Sequence, residues 1–341
     1  MRTKWTEERL NGLLTVPSDQ LAEDMSRLDG DIIILGAGGK MGPTLCQLAK
    51  NAVKKACCEK KIIAVSRFGN PAAAKQLADG GIEVVSADLL KDHALDSLPD
   101  AENVIYMAGR KFGTDGQEAL TWAMNAWLPS RVADRYRGSR ITVFSTGNVY
   151  PQVSVTSGGA TEETRPAPIG DYGMSSLARE RMFEYAAQTY GTRISIYRLN
   201  YAVDLRYGVL SDIAHKVLGG EPVSVTTPCF NCIWQGDANE AAIRCLLYAD
   251  SGVFRLNVTG PETASVRRTA EKFGKFFGHE PVFAGEESGS AYLNNAGKFA
   301  SLFGYPSVSL ERLIEWQAEW ILDGGRELGK PTHFEERKGN Y

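Results

Sequence analysis

Short apolar runs and amphipathic stretches at helical spacing take turns along the chain from Ile32 to Leu199. Residues 32–35, 61–66, 82–86, 103–107, 140–145 and 193–199 read as strands. Between them, residues 43–53, 71–79, a polar stretch around Leu95, 116–136 and 174–189 read as helices. Strands alternating with helices predict a parallel, doubly wound α/β sheet. Beyond Asn200 the rhythm breaks and the elements shorten. A helix at 210–218, strands around Val223 and Ile233, and a helix at 237–248 precede late helices at 266–277, 291–303 and 310–322. This part predicts a smaller mixed lobe over the C-terminal edge of the sheet, where ligands of such sheets bind. Ahead of the first strand, Leu10, Leu13, Leu14, Leu21, Met25 and Leu28 mark a charged, amphipathic segment expected to pack on the sheet as an extra helix pair.

The first strand runs straight into glycines. From Ile32 the chain reads Ile-Ile-Ile-Leu-Gly-Ala-Gly-Gly-Lys-Met-Gly42, and a helix opens next. A phosphate approaches the backbone closely only where side chains are absent, and the N–H groups at a helix N-terminus then hold its charge. Met41 stands where a strict G-x-G-x-x-G has its last glycine, so Gly36, Gly39 and Gly42 make the G-x-x-G-x-x-G variant. In this strand–turn–helix setting the motif points to a dinucleotide, with Lys40 and Met41 joining the glycines as candidate cofactor contacts. It resembles the short-chain dehydrogenase/reductase superfamily. The expected organisation is a helical extension over 1–30, a Rossmann domain over 31–200 with 151–170 contributing to the cleft, and a substrate lobe over 201–341. The polar tail after Gly324 is expected to wrap the surface.

Bulk properties narrow the class. The chain has 341 residues and a net charge of −3, which gives no sign of a nucleic-acid surface. No apolar run approaches a membrane span, and the N-terminal segment lacks the apolar core of a signal peptide. The expectation is a cytoplasmic protein with no membrane partner. Six cysteines in a chain of this size do not make a disulfide framework. Cys229 and Cys232 have metal-like spacing, but no second Cys or His pair completes a zinc set, so no metal is expected.

Further motifs extend the resemblance to the extended branch of the superfamily, the nucleotide-sugar epimerases and dehydratases, approximately over residues 31–248. Phe144-Ser-Thr-Gly-Asn-Val-Tyr150 looks like the segment carrying the family's catalytic hydroxyl, and Tyr172 like its tyrosine. The resemblance implies that Thr146 orients a substrate oxygen while Tyr172 moves its proton. It implies adenine contact by Asp88 with neighbouring Leu89, and close passage of the backbone past the cofactor at Ala108 and Gly109. It also implies a scaffold role for Asn125, and a homodimer built on the helices at 116–136 and 174–189. The second strand ends in Ser66 and Arg67 with no carboxylate, where enzymes preferring NAD place an acid on the ribose hydroxyls. A hydroxyl and a guanidinium suit a 2′-phosphate, so NADP is the expected cofactor with NAD as the alternative.

Two departures bear on the chemistry. The family's Tyr-x-x-x-Lys reads Tyr172-Gly-Met-Ser-Ser176, so the lysine that lowers the tyrosine pKa is a serine. Gly147 and Asn148 replace the acidic pair of the dehydratases, which speaks against water loss by that mechanism. Lys111, in the loop 109–113, is the first candidate for a substitute cation, followed by Arg110 and Arg179; solvent exposure is the simpler reading of each. Arg255, Arg267 and Arg268 are candidate substrate contacts that surface ion pairing explains equally well. Tyr207 and Trp234 are candidate stacking surfaces, with buried packing the simpler role for Trp234. The expected activity is NADP-dependent oxidoreduction or epimerisation at a hydroxyl or ketone carbon of a carbohydrate-like substrate. The alternative is a weakly catalytic dinucleotide sensor or scaffold.

Overall fold

A computed structural model describes residues 3–111, 116–250 and 252–340. Seven strands form the central sheet: β1 Ile32–Leu35, β2 Ile62–Ser66, β3 Glu83–Ser86, β4 Asn103–Tyr106, β5 Arg140–Thr146, β6 Arg193–Leu199 and β7 Val253–Val258. All neighbours are parallel, in the order β7-β6-β5-β4-β1-β2-β3. Such a sheet must be covered on both faces, so β1 is apolar and buried throughout, and β4 and all but the first residue of β5 are buried, their polar Asn103, Thr142, Ser145 and Thr146 included. Strand order reverses between β1 and β4, and the crevice of a doubly wound sheet opens at that point.

On one face, α2 (Asp19–Arg27), α3 (Gly42–Lys55) and α9 (Gln235–Arg244) bury Leu21, Met25, Leu45, Leu48 and Ile243 against the sheet. On the other, a long helical stretch and α7 (Gly170–Tyr190) contribute Leu128, Val132 and Phe183. A third core joins α1 (Glu7–Leu14) to α8 (Val209–Leu218), α10 (Val266–Phe277) and α12 (Leu310–Leu322) around Trp5, Phe273 and Trp320.

Several expectations change here. The N-terminal segment, expected to pack on the sheet as a pair, splits: α2 covers the sheet, while α1 belongs to the lobe core. Val253–Val258, inside the expected lobe over 201–341, is instead the edge strand of the main sheet. The polar stretch around Leu95 forms turns rather than a helix, with His93 at φ +59 interrupting any helical run. The helix expected over 116–136 is α5 (Glu118–Trp122) and α6 (Leu128–Arg135) with a π-turn at Ala123–Trp127 between them. The helix expected over 291–303 is only α11 (Gly297–Phe303), because Leu293 and Asn295 exchange backbone hydrogen bonds with Ala160. The tail after Gly324 does not merely wrap the surface. It buries Thr332 and Phe334, and it runs beside the cleft.

Candidate active site

The glycine turn is shaped by contact as well as by torsion. Gly36 sits at φ +98, and a Cβ there would lie 2.5 Å from the backbone nitrogen of Ala108. The turns after β1 and β4 therefore touch, as the buried Ala108 requires. A Cβ on Gly39 would meet nothing nearer than 3.5 Å, leaving open space above the turn. No side chain caps the start of α3, so its first N–H groups face that space. A diphosphate fits this cradle, as the glycine spacing implies.

At the end of β2, Arg67 is exposed, and its chain neighbours Ser66 and Phe68 carry no carboxylate. The Ser66 hydroxyl faces Gly38. Asp88 Oδ1 accepts a hydrogen bond from Leu90 N at 3.2 Å. The Leu89 side chain is core, packed with Leu95 and Leu98, so it offers a ligand its backbone alone.

Asn125 lies in the π-turn, a device that re-aims side chains at functional sites. Its amide accepts from Arg110 N at 2.9 Å and from Arg179 Nη2 at 2.7 Å. It donates to Arg110 O at 2.8 Å and to Ser175 Oγ at 3.0 Å. The side chain, rather than the backbone, thus clamps the loop after β4 to α7. Arg179 is buried and also donates to Phe144 O at 2.7 Å, while a Cβ on Gly109 would meet its guanidinium at 2.5 Å. Of the three candidate cations, Arg179 is the buried one whose charge favours the ionised Tyr172. Arg110 instead extends to Gln117. Lys111 stands beside the face of the tyrosine ring, 5.8 Å from its centroid. The rest of the expected loop, Phe112 and Gly113, lies outside the described residues.

Tyr172 lies in the first turn of α7, earlier than the helix expected from 174, and its phenol lies close enough to the Thr146 hydroxyl at the end of β5 for that hydroxyl to favour its charge. Thr146 Oγ1 donates to Asn148 Oδ1 at 3.1 Å and accepts from Asn148 N at 3.2 Å. Burial pushes the phenol above its usual pKa. The Thr146 hydrogen bond and the Arg179 charge pull the other way without cancelling it. The Ser176 hydroxyl is fully buried and makes no hydrogen bond of good geometry, though it lies close enough to the phenol to favour its charge slightly.

Thr146, Asn148, Tyr172, Lys40, Lys111 and Thr332 line one cleft of about 160 Å³. Lys40, expected as a cofactor contact, turns its ammonium 3.1 Å from the centroid of the Tyr207 ring. Burial first, and then Lys111 and Lys330, lower its pKa to about 7. Lys111 donates to Thr332 O at 3.3 Å, and burial lowers its pKa to about 8. Tyr207 thus lines the cleft, whereas Trp234 packs edge-on against Trp316 in the lobe core. Arg255 and Arg267 are taken up by Glu184 and Glu287.

The sequence matches the NAD dependent epimerase/dehydratase family over residues 32–237. The chain belongs to that family. Its members are enzymes of the extended short-chain dehydrogenase type. No curated protein matches the sequence. Among solved structures, MoeE5 in complex with UDP-glucose and NAD is 21% identical with a TM-score of 0.70, covering 86% of this chain and 99% of its own. The UDP-glucuronic acid 4-epimerase of Bacillus cereus in complex with NAD is 18% identical with a TM-score of 0.70, over 86% and 98%. Epimerase Mth375 of Methanothermobacter thermautotrophicus is 14% identical with a TM-score of 0.72, over 90% and 96%. At these identities the likeness is one of fold. Among the described residues, no helix is long and apolar enough to cross a membrane, and no group of His, Cys, Asp or Glu is arranged to hold a metal.

The depressed Lys40 carries a stability cost with a definite pH window. The unfolded chain holds this proton more tightly, so the cost is full below about pH 7 and vanishes towards the ordinary lysine pKa of 10.5. Lys40→Met is expected to raise stability at pH 7 by roughly 1–2 kcal/mol, discounted for the partial exposure of the side chain. Urea unfolding at pH 7 and pH 10 checks this: the gain shrinks at the higher pH.

Proposed function

We propose that the protein catalyses NADP-dependent oxidoreduction of a carbohydrate-like hydroxyl, with epimerisation through a transient ketone as its net reaction. The observation that carries this reading is the placement of the Thr146 hydroxyl and the Tyr172 phenol together in one cleft, beside the glycine turn. A protein that only sensed a dinucleotide would need neither hydroxyl. Family membership and the UDP-sugar 4-epimerases among the structural neighbours support a sugar substrate.

Gly36, Gly39 and Gly42 would hold the diphosphate, and Ala108 and Gly109 would line the nicotinamide side. When bound, the dinucleotide supplies a hydride acceptor and donor. Thr146 then hydrogen-bonds the substrate oxygen, and Tyr172 takes the hydroxyl proton as the carbonyl forms, returning it when the carbonyl is reduced. Arg179 acts through Asn125 and Phe144 as a positioning residue, and its charge favours the phenolate.

The exposed Arg67 and the missing acid after β2 support NADP, although neighbours were solved with NAD. Fluorescence titration is expected to give tighter binding of NADPH than of NADH. Arg67→Ala should lower the NADPH/NADH affinity ratio about tenfold. An unchanged ratio removes the preference.

Because burial raises the Tyr172 pKa, the phenol is protonated at neutral pH, so the proton-donor form is populated and the base form is scarce. The oxidation rate is expected to climb with pH by up to about tenfold per unit from neutrality into the alkaline range. Tyr172→Phe should lose roughly 10²–10⁴-fold in turnover with dinucleotide binding retained. Ser176→Lys should move the alkaline limb to lower pH. A flat profile in the wild type argues against Tyr172 as the base.

Leu120, Trp122 and Trp127 on the π-interrupted helical stretch, and Met174 and Tyr185 on α7, are exposed. Large apolar side chains gathered on two neighbouring helices support a twofold dimer in which those helices pack on their counterparts. Light scattering at micromolar concentration is expected to report a dimer, and a monomer would remove this expectation.

A further inference from the structure

We propose that Gly339, near the end of the C-terminal tail, is a positioning residue for Tyr172, acting through the backbone of Gly170. Its bearing on the reaction rests on the functional reading above, in which Tyr172 carries the proton. Tyr172 is the third residue of α7, and Ile169 ahead of the helix offers no side-chain cap. The N–H groups of a helix's first turn have no intrahelical partners, so that turn frays most readily. Downstream of the tyrosine, Ser175 is fixed by Asn125 at 3.0 Å. Gly173 packs so closely on the Asn148 carbonyl that a Cβ would lie 3.0 Å from its oxygen. Upstream, Asp171 accepts from the exposed Trp122 at 2.6 Å, and the tail closes on Gly170.

Gly170 and Gly339 both have left-handed torsions, φ +73 and φ +84, and their backbones are in contact. A Cβ on Gly170 would lie 2.5 Å from Gly339 O. A Cβ on Gly339 would lie 2.5 Å from Ile169 O and 2.8 Å from Gly170 Cα. Neither position can take a side chain unless the other backbone moves. The tail comes to this contact well anchored. Phe334 is buried in the lobe core. Arg337 donates through Nη1 to Ser290 O at 2.8 Å and to Thr226 O at 3.3 Å, and through Nη2 to Ser290 Oγ at 2.8 Å. Its own carbonyl accepts from Gln152 Nε2 at 2.9 Å, in the segment that follows Thr146. Two residues further on, Gly339 therefore meets α7 from a fixed place. Displacing it moves the start of the helix, and with it the phenol two residues along. A misplacement of about 1 Å in a proton-transferring group costs up to roughly 10²-fold in rate.

The test compares Gly339→Ala with Gly329→Ala in the full chain. Gly329 is also left-handed, at φ +61, but a Cβ there would meet nothing within 4 Å, so its variant carries the torsional strain without the contact. The deciding readout needs no substrate. The ζ-carbon NMR signal of Tyr172, assigned by its loss in Tyr172→Phe, is expected to be displaced in Gly339→Ala and unmoved in Gly329→Ala. With NADP and UDP-glucose as probe, Gly339→Ala should also lower turnover roughly tenfold and move the alkaline limb of the pH profile, with NADP affinity changed less than about twofold. If Gly339→Ala fails to fold, Arg337→Ala loosens the tail without a backbone clash and should displace the same signal. An unmoved Tyr172 signal in Gly339→Ala, or equal displacement in both glycine variants, overturns the proposal, whatever happens to thermal stability. Full turnover in Tyr172→Phe would instead count against the functional reading. If UDP-glucose is not turned over, the Tyr172 signal decides alone.

Discussion

The bidentate pair between Arg198 on β6 and Glu180 on α7 is the interaction on which the cleft edge of the sheet depends. Both side chains are sealed from solvent, with Arg198 at 2% exposure and Glu180 at 0%. Glu180 also accepts from Ser145, the residue before Thr146. The remaining arm of Arg198 donates to Tyr150, whose hydroxyl donates in turn to Asn257 on β7. One buried charge pair thus ties the ends of β5, β6 and β7 to α7, the helix that carries Tyr172. A buried pair of this kind is a poor source of net stability, because desolvation costs about as much as the attraction returns. Its value here is register. Any slip of α7 along the sheet would leave a charge buried and unpaired, so the tyrosine is held opposite Thr146.

A second buried guanidinium bears on the replacement of lysine by Ser176. Lysine at that position would place an ammonium one turn from the phenol. A buried cation whose charge reaches Tyr172 is Arg179, about two turns away and on the same side of α7, where Asn125 and Phe144 fix it. Four effects compete at Tyr172, the slightest being the nearby Ser176 hydroxyl, which favours its charge. Burial raises its pKa most, the Thr146 hydrogen bond opposes that, and the more distant Arg179 charge adds a smaller opposing share. Burial wins. The site is therefore biased towards the protonated phenol, which suits delivery of a proton to a carbonyl better than its removal from an alcohol.

The sheet and its glycine turn were legible in the sequence because each depends on local pattern: continuous apolar runs for buried parallel strands, and small residues where backbones touch. Thr146 and Tyr172 were legible as a resemblance, and the structure joins them. What escaped depended on partners distant in the chain. β7 reads as Val-Phe-Arg-Leu-Asn-Val, and the Arg and Asn conceal a strand whose polar residues are used by Glu184 and Tyr150. The π-turn at Asn125 leaves the apolar spacing of its helix nearly unchanged, so periodicity alone does not reveal it. Arg179 had a readable signal, since a residue seven after Tyr172 shares its helix face, but a lone arginine there looks like any solvent-facing one. Thr332 had no signal at all.

That last residue changes how the C-terminal tail must be understood. Thr332 accepts from Lys111 through its carbonyl and donates to Asp212 through its N–H and hydroxyl. On either side of it, Leu328 donates to Arg206 and Glu335 pairs with Lys216. Polar contacts spread along one segment order it cooperatively, because each residue fixed lowers the entropic cost of fixing the next. The tail is therefore a wall of the cleft, joined to the loop after β4 at Lys111 and to α8 at Asp212. A segment far from the glycine turn in sequence in this way comes to line the same cleft as the turn's own Lys40.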